Sequence, residues 1–178
     1  MLMAEVIEQS LEIMHWALAQ HDPDNWLGPD SAALIEENDQ VFKVNLDRYK
    51  YAIRYPEQPM EHYRAQGAAF LQRLEVMLEQ TPYLAGDTLS LADIALAPFV
   101  RQFAHVDRDW FEQAPYPHLN AWLERFLASA LFGSVMKKTW NSSIWKNPRP
   151  LMAMSSGCSV VCRLPAVKFF CEIGRAHV

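Results

Sequence analysis

The chain has 178 residues, 51% hydrophobic and 12% aromatic, enough to bury the core of one all-helical domain. It holds no apolar run of the ~18 residues a membrane span requires. Its start, MLMAEVIEQS, lacks the basic-then-apolar layout of a signal peptide, so a cytoplasmic location with no membrane partner is expected. Residues 1–138 hold 11 basic and 20 acidic side chains, a net −9, and a body so acidic argues against a nucleic-acid partner.

Residues 4–9, AEVIEQ, read as the end of a short strand, after which Ser10 is expected to cap a helix, SLEIMHWALAQH. Leu11, Met14 and Leu18 share one face of it. Residues 21–29 form a loop by their Asp, Asn, Pro and Gly content. Asp30 or Ser31 then caps a long helix to about Tyr55, with Leu34, Ile35, Val41, Phe42, Leu46 and Tyr49 as its apolar stripe and Pro56 and Pro59 beyond its end. Bases and aromatics interleave from Asn45 to Tyr55, but Arg and Lys near a helix C-terminus complement its dipole and need no nucleic acid. A second long helix is expected from about Met60 to Gln80, with Tyr63, Phe70, Leu71, Leu74, Met77 and Leu78 on one face.

Thr81 to Val100 organises the rest. Ser90 stands three residues before Asp93, the spacing of a capping box, in which each side chain satisfies an orphan N–H at a helix start. Ile94 to Val100 is apolar on every face, so this helix is expected to be buried all round and its cap to be obligatory. Replacing Ser90 or Asp93 should cost about 1–2 kcal/mol. Pro98 inside the helix costs about 3 kcal/mol and requires strong surrounding packing.

Val106 to Pro117 reads as a loop, His118 to Phe126 as another helix, and Ala128 to Lys138 as a last short one. Residues 139–178 keep neither a helical nor a strand period. Acidic side chains are missing from Arg125 to Cys171, all three cysteines fall in the last 21 residues, and the final six resemble one reading frame of a sequencing adapter. This stretch is expected to be a non-native or disordered tail. Cys158 and Cys162 have no second pair and no histidine at ligand spacing, and His62, His105 and His118 share no such spacing, so no metal is expected.

Leu84-Ala-Gly-Asp-x-Leu-Ser-Leu-Ala-Asp-Ile-Ala95 resembles the cap and core helix of the glutathione S-transferase C-terminal domain, and Pro115-Tyr-Pro-His-Leu-x-x-Trp-Leu123 resembles that family too. The resemblance implies an all-α bundle over residues 30–138. Residues 1–22 would be a remnant strand and helix of the thioredoxin-like glutathione-binding domain. Gln9-Ser10 matches the family's Gln/Glu-Ser pair. A hydroxyl and first-turn N–H groups at the positive end of a helix suit a carboxylate, and the Gln amide both donates and accepts, so the pair could hold the γ-glutamyl end of glutathione. The resemblance also makes Phe42, Tyr49 and Tyr55 candidate walls of a substrate pocket. The parent protein would use the glutathione thiolate to conjugate or reduce an electrophile or disulfide, with glutathione as co-substrate, and would form a homodimer. The chain as it stands lacks the thiol-activating residue, so no catalytic residue is assigned. The rival reading is a non-catalytic adaptor or scaffold that uses the bundle for protein contacts.

Overall fold

The computed structural model describes residues 9–28 and 30–136; the rest of the expected strand and the whole expected tail lie outside them. The elements, in order, are α1 (Ser10–Gln20), α2 (Ala32–Glu37), a π-helical turn (Asn38–Phe42), α3 (Lys43–Lys50), a 3-10 turn (Ala52–Arg54), α4 (Met60–Gln80), α5 (Leu91–Val106), α6 (Arg108–Gln113), α7 (Pro117–Leu127) and α8 (Ala130–Met136). Among the described residues there is no strand or sheet, and the fold is all-α.

α2 and α3 form one helical rod interrupted by the π-turn. The reason lies in the spacing of its buried residues. Leu34, Asn38, Phe42 and Leu46 are all buried and recur every four residues. An α-helix turns every 3.6 residues, so a strict four-residue repeat drifts around its surface. A π-turn underwinds the rod and brings the line back toward the core. α3 packs on α4, α4 on α7, and both α2 and α3 on α5.

α5 sits in the middle of this arrangement. From Leu91 to Pro98 every residue is buried, with Val100, Phe103 and Ala104 continuing the dry surface. The aromatic centre lies between α3, α4 and α5: Phe42 stacks on Phe70 at 4.9 Å and on Phe103 at 5.5 Å, and Tyr49 lies 4.8 Å from Phe103. Gly67 makes this approach feasible, because a Cβ there would stand 2.4 Å from Phe103 Cε2.

Two local expectations are corrected. Ser10 does not cap α1 but is its first helical residue. Gln9 takes the cap position, extended at φ −94° and ψ 139°, and its carbonyl accepts from Ile13 N–H at 3.0 Å, so the ladder begins one residue early. Residues 106–117 are not all loop, since they contain α6. Asp107 caps it by accepting from Trp110 N–H at 3.0 Å while pairing with Arg64 of α4 at 3.2 Å.

Candidate functional site

The loop between α1 and α2 is folded by one carboxylate. Asp22 Oδ1 accepts from Trp26 N–H at 2.8 Å and Oδ2 from Leu27 N–H at 3.0 Å. Asn25 sits at φ 54°, in the left-handed region that Asn tolerates better than most residues. The Trp26 carbonyl then accepts from Leu91 N–H at 3.1 Å, which satisfies an orphan donor in the first turn of α5. The loop is thereby fastened to the buried helix.

Beside it, the α5 cap is more than a two-residue device. Ser90 and Asp93 form the capping box, and both are fully buried. Asp93 Oδ2 accepts from Ser90 N–H at 2.9 Å and from the Ser90 hydroxyl at 2.6 Å. Its Oδ1 accepts from Leu84 N–H at 3.0 Å and from Trp122 Nε1–H at 2.8 Å. Four donors thus match the four acceptor positions of one carboxylate. The Leu84 loop is shaped to deliver its N–H: Tyr83 and Gly86 bond each other's backbone at 3.1 and 3.3 Å, and Gly86 takes φ 137°, which side chains rarely adopt.

Between α1, the loop, the start of α5 and α8 lies an open cavity of about 950 Å³, walled mainly by Met14, Leu18, Trp26, Leu91, Ile94 and Leu131. His21, Asp22 and Asp24 stand among its polar lining, and among the described residues no Ser, Cys or Tyr side chain lines it. A smaller cavity of about 400 Å³ lies between α1 and the α2 side, with His15, Asp30, Glu36 and Asp39 in its wall.

The residues singled out by sequence do not converge on either space. Gln9 is exposed and Ser10 half-buried at the tip of α1, and neither lines either of these two cavities. Phe42 and Tyr49 are closed into the aromatic centre at 0% and 1% exposure. Tyr55 is half-buried, edge-on to Tyr63 at 6.4 Å. Burial raises the Tyr49 phenol above its ordinary value, and the Arg64 guanidinium partly offsets this. The Tyr49 hydroxyl has no hydrogen-bond partner of ordinary geometry among the described residues. Burial, reinforced by the Glu75 carboxylate, raises Tyr116 as well.

A second buried carboxylate escaped the sequence reading. Glu75, on α4, is 7% exposed and caps a different helix. Its Oε1 accepts from His118 N–H at 3.1 Å and lies 2.7 Å from His118 Nδ1, while Oε2 accepts from Leu119 N–H at 2.7 Å. The available signal was an acid inside the apolar stripe of α4, between Leu71, Leu74 and Leu78. Among the described residues, no group of three or more His, Cys, Asp or Glu is placed to hold a metal ion, and no helix is long and apolar enough to cross a membrane.

A helical bundle centred on a helix whose first two turns are buried on every face, with a boxed cap, is the architecture these residues define. Residues 56–125, from the turn before α4 into α7, match the family model of the glutathione S-transferase C-terminal domain. The chain therefore carries a glutathione S-transferase C-terminal domain. α2 and α3, which precede the matched stretch, share its core. Comparison with curated proteins finds no match.

Proposed function

We propose that this chain is the helical part of a glutathione S-transferase-like protein. Its parent uses the glutathione thiolate to conjugate or reduce an electrophile. The observation that carries this reading is the family match over residues 56–125, which includes the Asp93-centred cap of α5. In this reading Gln9 and Ser10, at the positive end of α1, hold the γ-glutamyl carboxylate, residues 1–22 belong to a thioredoxin-like unit, and the parent is a cytoplasmic homodimer. The chain itself does not activate the thiol; the described residues that wall the cavity of about 950 Å³ include no Ser, Cys or Tyr, which supports that part of the proposal. The test is turnover of glutathione with an electrophilic aryl halide, together with calorimetry on the wild type and on Gln9→Ala/Ser10→Ala. We expect no turnover above the uncatalysed rate and weak binding that the double variant loses. Turnover by the purified chain would refute the inactive assignment, and binding unchanged in the variant would refute the role of Gln9-Ser10.

One observation favours a second reading, a non-catalytic adaptor: Gln9 and Ser10 line neither cavity. Retention on immobilised glutathione separates the two readings. An adaptor passes through the resin.

A further inference from the structure

The cavity between α1, the α1–α2 loop, α5 and α8 combines an apolar body with charge of one sign. Its volume of about 950 Å³ accepts a small organic ligand, and sites for such ligands are apolar hollows with a few placed polar groups. Two indoles stand in its wall: Trp16, 53% exposed on α1, and Trp26, half-buried on the loop. The charged groups are Asp22 and Asp24, and among the described residues no Lys or Arg lines the space. His21, in the same wall, offers an acceptor nitrogen when its ring is neutral.

Asp22 is held in place by the turn it organises. Its oxygens accept from Trp26 N–H at 2.8 Å and Leu27 N–H at 3.0 Å, and the Trp26 carbonyl accepts from Leu91 N–H at 3.1 Å. Asp22 and the Trp26 backbone are thus fixed to one another and to the start of α5. A carboxylate has four acceptor positions. Asp93 fills all four, whereas Asp22 uses two among the described residues. Each Asp22 oxygen keeps one position for a further donor. Asp24 is exposed and has no ion-pair partner among the described residues. A ligand that fills the apolar space and satisfies these carboxylates is a hydrophobic body with a cationic donor.

We propose that this cavity binds an amphipathic organic cation, an aromatic body carrying one protonated amine. The body displaces water from the Met14, Leu18, Ile94 and Leu131 side chains. The ammonium donates to Asp22 within the field of Asp24, and the indole faces attract it through their quadrupoles, Trp being the best ring for that contact. An anionic ligand meets two negative charges there and no counter-charge, so the cavity disfavours it. This inference goes beyond the glutathione reading: Gln9 and Ser10 lie outside this lining, and the probes below carry neither a thiol nor a γ-glutamyl group. Either reading can therefore fail without the other.

The probes are three naphthalenes of similar size: naphthylmethylammonium, neutral naphthylmethanol and anionic naphthoate. Each is titrated into the 178-residue protein while the methyl resonances of Met14, Ile94 and Leu131 are followed, so that the readout reports this cavity. The ammonium should bind about tenfold more tightly than the alcohol, and naphthoate more weakly than either. Asp24→Asn alters an exposed side chain and should leave folding intact. It should cut the preference for the ammonium over the alcohol to about threefold. Equal binding of the ammonium and the alcohol, or an unchanged preference in Asp24→Asn, would overturn the proposal. So would methyl signals that ignore all three probes, the result expected if residues 137–178 of the chain itself cover the cavity.

Discussion

Asp93→Ala is the most demanding perturbation of this bundle. The substitution keeps a residue of high helix propensity on α5, so the helix itself is not weakened. What it removes is the acceptor for Leu84 N–H, Ser90 N–H, the Ser90 hydroxyl and Trp122 Nε1–H, around a carboxylate that is 0% exposed. Each donor left buried without a partner costs about 1–3 kcal/mol. The vacated space admits some relaxation or a water, so the sum is bounded at about 4–6 kcal/mol. That exceeds the 1–2 kcal/mol typical of a helix cap and is a large part of the 5–15 kcal/mol that holds an ordinary domain together. Urea unfolding followed by tryptophan fluorescence measures it, with an unchanged m-value showing that the unfolded state is not altered. Trp122→Phe is the companion variant. It deletes one of the four donors, should cost about 1–2 kcal/mol, and should couple to Asp93→Ala in a double-mutant cycle. A loss below about 2 kcal/mol for Asp93→Ala, or additive single variants, would refute the view that this carboxylate joins the loop, the cap and α7.

Glu75→Ala should cost about 2–4 kcal/mol by the same urea assay, because it strips the acceptor from the His118 and Leu119 amides at the start of α7; amide exchange at those two positions should rise, and unchanged protection would contradict the cross-helix cap. Phe42→Ala should cost about 3–5 kcal/mol, since a fully buried ring stacked on Phe70 and Phe103 is lost. A loss under 1 kcal/mol accompanied by altered ligand binding would instead make Phe42 a pocket wall. For His105 the folded value lies below the ordinary 6.5, chiefly through burial. The unfolded chain therefore holds the proton more tightly than the folded one in the window between the two values. Stability attached to this group is complete above pH 6.5 and declines as pH falls through that window. His105→Gln should flatten that part of the pH–stability curve, and an identical slope in the variant would assign it elsewhere.

The sequence made the helices legible where one face alternates with solvent, or where every face is apolar. α4 shows the first pattern and α5 the second, and Pro56, Pro59 and the Ser90-x-x-Asp93 spacing marked their ends. Its limits are also physical. Spacing reveals that Asp93 can reach Ser90, but bonds to Leu84 and Trp122 depend on tertiary approach, which no local pattern encodes. Glu75 is the same case across 43 residues. α6 was missed because six residues running into Pro115 and Pro117 hold too few turns to show a period, although Asp107 before Trp110 was the available cap signal. For the site, residue types pointed to chemistry at Gln9-Ser10, and the family resemblance pointed to aromatic walls at Phe42, Tyr49 and Tyr55. In the fold Phe42 and Tyr49 pack into the aromatic centre while Tyr55 stays half-buried, because an aromatic stripe on a helix facing two others packs first into the core.

The underwound turn at 38–42 also affects how this chain could change length. A π-turn is an α-helix carrying one surplus residue. Removing Gln40, an exposed residue within it, would let the rod close into regular helix while Phe42, Leu46 and Tyr49 keep their rotation relative to one another. The same one-residue deletion in the uninterrupted α4 would swing everything downstream by about 100° and carry Leu74 and Glu75 away from their partners. Length variants of this bundle should therefore collect at that turn, where a shift of register is already accommodated.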